Sequence, residues 1–241
     1  MNKKYINYLV LLFCMCSAIS SADTTTAVAI SGQIIDVPKA PQILAGIHYK
    51  KLSKKICSNQ NIKQFVSRST GQVQVAMFFS YGCSVCRHLN KPFDEWASKQ
   101  NKNAISISKL PVSFNRGWDM LAKAFFTVQD LRKSALLDEI IFSGIHDKAM
   151  PLWAENKLED LFFENGIDRA LFKSTFNSFN VNTQVKLVND LSLAFELSSI
   201  PNIVIVGPYN AYITNLAMTQ DPRLLFMVIN HLVTKELKSP N

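Results

Sequence analysis

The sequence contains few of the residues from which disulfide frameworks and metal centres are built. Its 241 residues include five cysteines and four histidines, and no second C-x-x-C or nearby Cys/His pair completes a set of four zinc ligands. Beyond the N-terminal region, no stretch is long and apolar enough to cross a membrane. Hydrophobic residues make up 48% and charged residues 18%, a balance that excludes a disordered chain. The composition therefore predicts a globular protein with a large apolar core and no bound cofactor or metal.

Acidic residues are outnumbered by basic ones, and the formal net charge is +8. A basic surface could meet nucleic acid, an anionic membrane or acidic partners. The lysines are scattered, however, and the densest group of them, at residues 50–55, has no aromatic residues among it. We therefore expect a solvated surface and no nucleic-acid partner.

Residues 1–22 have the pattern of a secretory signal peptide. Lys3 and Lys4 form a positive region, residues 8–16 form a short apolar core, and the small residues 20–22 suit a cleavage site. An uncleaved membrane anchor is the alternative interpretation, although the apolar core is short for a membrane span. We expect cleavage and export.

Cleavage would leave three cysteines, at positions 57, 83 and 86, and an N-terminal arm at residues 23–46. One close pair and one odd cysteine do not make the disulfide framework of a small secreted protein. Cys57 has no sequence partner, and we expect it to be a buried, inert thiol, with intermolecular pairing or a regulatory role as alternatives.

The sequence Cys83-Ser84-Val85-Cys86 is the most informative motif of the chain. It follows an apolar run at residues 73–80, which predicts a buried strand, and it leads into an apolar pattern with helical spacing. This context places a sulfur at a helix N-terminus, where unpaired N–H groups and the positive end of the helix dipole favour a thiolate. A stabilised thiolate with a second thiol one turn away indicates thiol–disulfide exchange.

The remaining pattern predicts an α/β protein. An alternating strand at residues 104–108 is followed by five apolar helical stripes, then by two strands joined by a turn, and by a last helix that begins at Asp221-Pro222. This order is that of a thioredoxin fold with an inserted all-helical domain. We predict a thioredoxin-like domain formed by residues 47–116 and 199–241. The helical insertion between these two segments is predicted at residues 117–198.

Two short motifs make the resemblance to a known family specific. The residues from Phe78 to Cys86, the helical insertion, and Ser199-Ile200-Pro201 before the hairpin resemble the DsbA family of exported thiol:disulfide oxidoreductases. The resemblance extends from about Ile47 to the C-terminus and is weak outside the two motifs. It implies a periplasmic enzyme whose partners are cysteine-containing exported client proteins and a membrane redox partner that resets the cysteine pair.

The resemblance also implies a role for each site residue. Cys83 would be the exposed nucleophile and Cys86 the resolving thiol buried behind it. Family members have a cis peptide bond at the proline that matches Pro201, beside the sulfurs, and the backbone of Ile200 would then be available to pair with a client strand. Without the resemblance, Ile200-Pro201 could mark only a helix end before a strand.

The sequence departs from the family's oxidase prototype at two positions. The prototype has histidine before the second cysteine, where this chain has Val85, which offers its backbone N–H but no side-chain donor or positive charge. It also has a buried carboxylate in the preceding strand, where this chain has Met77, which cannot relay a proton. We therefore predict a milder redox couple, tuned by Val85 and by Ser84, whose side chain could reach the thiolate.

Several functions remain open at this stage. Our main interpretation is a monomeric oxidase, and an isomerase or reductase of the same fold is the alternative. A reduced Cys83/Cys86 pair could also hold Cu(I), and a redox-silent assembly protein could reuse the fold. His88 follows the motif on the predicted helix, and we expect it to face solvent.

Overall fold

The computed structural model describes residues 41–67 and 72–238. The predicted signal peptide and residues 23–40 of the predicted arm lie outside the described residues. The described part begins with an extended segment in which Ala45 forms an isolated bridge with Tyr49.

Five strands form one sheet, in the order β1-β5-β4-β2-β3. β2 and β3 are parallel, and the β2–β4, β4–β5 and β1–β5 pairs are antiparallel. β2 lies inside the sheet and all seven of its residues are buried, as its mainly apolar sequence predicted. The strands are β1 (Lys50–Lys51), β2 (Val73–Phe79), β3 (Ile105–Pro111), β4 (Asn202–Val206) and β5 (Ala211–Thr214).

The described chain forms helices before, between and after these strands. Five of them, α4 to α8, occur between β3 and β4, which confirms a thioredoxin fold with a helical insertion; the domain boundaries at 117 and 198 stay a prediction. The helices are α1 (Lys54–Cys57), α2 (Gln60–Ser67), α3 (Ser84–Ser98), α4 (Arg116–Asp130), α5 (Ser134–His146), α6 (Glu155–Glu164), α7 (Arg169–Phe176), α8 (Phe179–Ala194), α9 (Leu216–Thr219) and α10 (Pro222–Leu237).

Local sequence explains most of these bounds. The carboxylate of Asp221 caps α10 by accepting a hydrogen bond from the backbone N–H of Arg223, as the Asp-Pro signal predicted. The sequence predicted that strand β3 ends at Ser108, because Lys109 occupies a position where the alternating pattern requires an apolar residue. In the structure β3 continues to Pro111. The four-residue helix α9 was not predicted, since it is too short to show an apolar stripe.

The two faces of the sheet pack against different helices. Side chains alternate along a strand, so the odd-numbered residues of β2 and β3 share one face and the even-numbered residues share the other. On the odd face, Lys109 contacts α3, and Trp96 of α3 donates a hydrogen bond to Asn230 of α10 at 2.8 Å. On the even face, the ring of Phe78 packs against Phe195 at the end of α8. The C-x-x-C helix therefore covers the odd face only.

Candidate active site

A tight turn after β2 delivers Cys83 to the start of α3. The backbone N–H of Cys83 donates to the carbonyl of Ser80 at 3.1 Å, and that of Gly82 donates to Ser80 Oγ at 3.2 Å. Cys83 is the N-cap residue of α3, so its side chain lies at the positive end of a 15-residue helix. No acidic residue occupies the first turn of that helix to oppose a negative charge.

The two cysteines form a disulfide with unequal exposure. Their Cα atoms are 5.2 Å apart, Cys83 is partly exposed, and Cys86 is fully buried. The backbone N–H of Cys86 lies 3.1 Å from Cys83 Sγ, in a position to donate to a thiolate there. Cys83 is thus the sulfur that a client can reach and the one whose negative charge the helix stabilises.

The Ile200-Pro201 segment lies beside this sulfur. The peptide bond between the two residues is cis, and the carbonyl oxygen of Ile200 is 4.0 Å from Cys83 Sγ. The segment connects the end of α8 to the start of β4, which agrees with the interpretation that it marks a helix end before a strand. It also brings the backbone of Ile200 to the redox pair, so the connection is part of the site.

The outer side of the site is apolar and aromatic. Val85 is 45% exposed, and the ring of Trp118 packs so closely on Gly82 that a Cβ there would lie 2.5 Å from its Nε1. Phe114, also 45% exposed, stacks on Trp118 with ring centroids 6.0 Å apart. We call Val85, Phe114 and Trp118 the outer surface. The contact of Trp118 with Gly82 places its ring beside the turn that carries Cys83.

The inner side of the site is a buried polar network. The hydroxyl of Tyr81 donates to one carboxylate oxygen of Asp138, and the other oxygen pairs with Lys109 Nζ at 3.3 Å. Lys109 also contacts Asn90 and Asp94 of α3, both at 3.0 Å. These five residues are the underside network. Full burial, and next the charge of Asp138, raise the pKa of Tyr81 well above its ordinary value, so the phenol stays a donor.

Helix α5 also holds the active-site turn and α3 at other points. His146 Nε2 lies 2.8 Å from the carbonyl oxygen of Tyr81 and donates to it as an N–H. The guanidinium of Arg87 in α3 pairs with Asp147, just after α5, and with Glu139 at 3.5 Å. The helical insertion therefore supports the turn that carries Cys83.

Sequence reasoning missed the underside network because its members come from four separate elements. Asp138 and His146 are far from the C-x-x-C in the chain, and neither forms a motif with it. One signal was present: Lys109 interrupts the apolar alternation of β3. Its register partner in β2 is Met77, which is fully buried, so a lysine at this position needs acidic partners from elsewhere.

The other predicted site residues lie as follows. Ser84 is exposed at the start of α3, and the backbone N–H of Cys86 lies near the Cys83 sulfur. Tuning of the pair by Ser84 and Val85 stays a prediction. His88 is exposed, as expected. Cys57 is a free thiol that is only partly buried, which corrects the expectation of a buried one. Cys57 is the last residue of the short helix α1, where its side chain lies too close to the surface to be fully buried.

Metal-binding clusters and membrane-spanning helices are both absent from the described residues. Within residues 41–67 and 72–238, no group of three or more His, Cys, Asp or Glu side chains is arranged to hold a metal ion. In the same ranges, no helix combines the length and apolarity needed to span a membrane. The cysteine pair is the reactive feature that the described structure presents.

The chain is similar in sequence to proteins of known identity. No family model matches the chain. The thiol:disulfide interchange protein DsbA of Burkholderia cepacia is 30% identical over 146 residues, which cover 61% of this chain and 68% of the relative. DsbA of Pseudomonas aeruginosa strain PAO1 is 23% identical over 198 residues, which cover 82% of this chain and 88% of the relative.

Solved structures show the same fold. The crystal structure of Pseudomonas aeruginosa DsbA has a TM-score of 0.70 at 23% identity and covers 80% of this chain and 94% of its own. The oxidoreductase NmDsbA1 from Neisseria meningitidis has a TM-score of 0.66 at 19% identity and covers 83% and 96%.

A thioredoxin fold with a C-x-x-C disulfide at a helix N-terminus and a cis-proline segment beside it defines a thiol:disulfide oxidoreductase. The sequence prediction of this enzyme class is confirmed. Within the class, the chain belongs to the DsbA family.

Proposed function

We propose that this protein is a periplasmic oxidase that donates the Cys83–Cys86 disulfide to cysteine pairs of exported client proteins. The observation that carries the proposal is the asymmetry of the pair. The reachable sulfur is the one that the helix N-terminus and the N–H of Cys86 stabilise, so Cys83 is the better leaving group when the client's own disulfide closes.

The reaction follows from this geometry. A client thiolate attacks Cys83 Sγ, the Cys83–Cys86 bond breaks, and Cys86 leaves as a thiolate that takes up a proton. A second client thiolate then attacks the client sulfur of the mixed disulfide and releases the Cys83 thiolate. In total the client loses two electrons and two protons. The protein gains the electrons as the Cys86 thiol and the Cys83 thiolate, Cys86 takes up one proton, and the other proton passes to solvent.

Client binding is assigned to the groups that surround Cys83. The backbone of Ile200 would pair with an extended client segment next to the attacked sulfur. Val85 and Trp118 of the outer surface would contact apolar client side chains, which unfolded exported chains expose. This assignment requires no defined client sequence, because backbone pairing and apolar contact can both accommodate many different sequences.

The cellular setting rests on the family and on the N-terminal sequence. A secretory signal at residues 1–22 would deliver the protein to the periplasm, where disulfides persist. A membrane redox partner, as the family resemblance implies, would reoxidise the pair, because each turnover leaves the two cysteines reduced. Export of a reporter fused to residues 1–22, with cleavage after residue 22, is the expected result.

The oxidase direction is tested with the protein lacking residues 1–22 and a fluorescent peptide that contains two cysteines. The oxidised protein should close the peptide disulfide stoichiometrically, and Cys83→Ser should lower the rate to below about 1% of that of the wild type, since the attacked sulfur is gone. Cys57→Ser is the matched control and should leave the rate unchanged. Scrambled-disulfide repair without net oxidation would instead assign an isomerase, and retained cellular function in the double variant Cys83→Ser, Cys86→Ser would assign a redox-silent role.

A further inference from the structure

A second site lies on the even face of the sheet, which faces away from the C-x-x-C helix. A cavity of about 220 Å³, partly open to solvent, lies there between the sheet and α8. Gln74 of β2 and Ser108 of β3 contribute to its wall from the sheet, Leu187 from α8, and Phe65 and Phe126 from α2 and α4. We call this space the Gln74 cavity.

Two buried polar atoms of residues in its wall have no hydrogen-bond partner within the described part of the chain. They are Nε2 of Gln74 and Oγ of Ser108. Gln74 is only 3% exposed and is the one polar residue of β2. Burial of an unpaired amide N–H₂ or hydroxyl is unfavourable, and native proteins pair such groups with protein, water or ligand. The two atoms come from adjacent strands, because Gln74 pairs in register with Ser106 and Ala76 with Ser108.

The rest of the wall defines the chemistry of an occupant. The aromatic rings and leucine provide an apolar surface, and none of the described side chains that line the cavity is charged. A charged molecule would therefore lose its hydration without gaining a counter-ion. The volume exceeds the roughly 150 Å³ of an apolar cavity that binds benzene. The cavity can thus accept a neutral molecule larger than one water.

The cavity also has a route of entry. Ser108, Phe126 and Gln184 line both the cavity and a larger groove of about 680 Å³ along the outer edge of β3. β3 is the last strand of the sheet on that side, so no neighbouring strand covers its edge. A small molecule could pass from this groove to Gln74 by displacing side chains only.

We propose that the Gln74 cavity binds a small neutral molecule with an aromatic body and a carbonyl oxygen. The oxygen accepts a hydrogen bond from Gln74 Nε2, and Ser108 Oγ donates to the same oxygen or to a second acceptor. The ring packs against Phe65, Phe126 and Leu187. This site is independent of the proposed redox function, since Gln74 and Ser108 lie on the face of the sheet opposite α3.

The test compares two probes of nearly equal shape, acetophenone and α-methylstyrene, in which a methylidene group replaces the carbonyl oxygen. Each is titrated into the oxidised protein while the side-chain amide signal of Gln74 and the methyl signals of Leu187 are followed by NMR. We expect saturable shifts of both signals with acetophenone, and about tenfold tighter binding of acetophenone than of α-methylstyrene, the effect of one hydrogen bond.

Variants separate recognition from folding. Gln74→Met removes the N–H₂ at similar volume and should make the two probes bind equally. Gln60→Met, the same change at an exposed glutamine outside the cavity and the groove, should preserve the tenfold difference. Ser108→Val adds carbon atoms to the cavity wall and should abolish binding of both probes, while its peptide-oxidation rate reports that the protein is folded.

Three outcomes would overturn the proposal. The first is the absence of saturable shifts with either probe. The second is equal affinity for the two probes in the wild-type protein. The third is long-lived water signals at Gln74 that neither probe displaces, which would assign the cavity to structural water.

Discussion

The outer and inner sides of the redox pair differ sharply in chemistry. The outer side presents Val85, Phe114 and Trp118, none of which carries a charge, and Val85 offers no side-chain donor to Cys83. The inner side contains Tyr81, Asp138 and Lys109, a buried hydroxyl and a largely buried ion pair joined by hydrogen bonds. In the proposed function, client contact and structural support would therefore be carried by separate sets of side chains.

This difference explains how the chain can depart from the oxidase prototype at two positions and keep the site. At Val85 the outer side loses a polar group and gains an apolar contact surface. At Met77 the inner side lacks a carboxylate on β2, and Asp138 of α5 supplies one to Lys109 instead. We infer that the thiolate of Cys83 depends mainly on the helix N-terminus and on the N–H of Cys86.

The largest expected effect comes from removing the ion pair between Asp138 and Lys109 on the inner side. Asp138→Asn removes the charge that pairs with Lys109, and Asp94, which is half exposed, remains as its one acidic contact. We expect the free energy of unfolding to fall by about 1–3 kcal/mol, because a largely buried cation loses a partner. Urea denaturation measures this loss. Glu139→Gln, at an exposed neighbour, should change stability by less than about 0.5 kcal/mol, and an equal loss in both variants would refute the role of Asp138.

Adding a polar group to the outer side should make the pair more oxidising. Val85→His places an imidazole beside the N-terminus of α3, where a donor or positive charge favours the Cys83 thiolate. We expect the reduction potential to become less negative by about 30 mV, which corresponds to about 1.4 kcal/mol for a two-electron couple. Val85→Leu is the control and should leave the potential unchanged. A potential that does not respond to histidine would show that position 85 is too far from the sulfur to tune it.

Truncating the outer surface should affect clients and not the sulfur chemistry. Trp118→Ala removes the ring that packs on Gly82 and stacks with Phe114. We expect the KM for the two-cysteine peptide to rise about five- to tenfold, as for loss of one aromatic contact, with an unchanged reduction potential. Trp153→Ala, at a tryptophan that is 55% exposed and contacts Gly117, serves as the control. A shift in potential with unchanged KM would reverse the assignment of the two sides.

The smallest expected effect concerns the phenol of the inner side. Tyr81→Phe should lower stability at neutral pH by about 1 kcal/mol, the net contribution of one hydrogen bond. The raised pKa of Tyr81 means that the unfolded chain loses this proton near pH 10 while the folded protein keeps it. The contribution of Tyr81 to the free energy of unfolding is therefore fully present below pH 10. It decreases as the pH rises above 10, by up to about 1.4 kcal/mol per pH unit.

Denaturation curves between pH 8 and pH 11 measure this dependence. The decline should be shallower in Tyr81→Phe than in the wild type. Tyr209→Phe, at an exposed tyrosine, should follow the wild-type curve. Identical slopes in all three proteins would mean that Tyr81 ionises in the folded state as it does in the unfolded chain.

The sequence predicted the parts of the site that are encoded locally. The apolar run at 73–79, the C-x-x-C and Ile200-Pro201 each carry their own signal, and Cys86 is buried and Cys83 partly exposed as predicted. The contacts between Tyr81, Asp138 and His146 carry no local signal, since they depend on how α5 packs against the turn before Cys83. The same limit applies to the Gln74 cavity, whose wall is formed by several separate elements.

The reduction potential of the Cys83/Cys86 pair, measured by equilibration with glutathione, tests the central claim most directly. The claim is that the pair is a working redox couple tuned by the helix N-terminus without a histidine at position 85. It predicts a potential clearly more negative than about −120 mV, the value of the DsbA prototype, and less negative than about −270 mV, that of thioredoxin. A reduction potential at or above about −120 mV would contradict the prediction of a milder redox couple from Val85 and Met77. A cysteine pair that forms no disulfide would contradict the redox function itself.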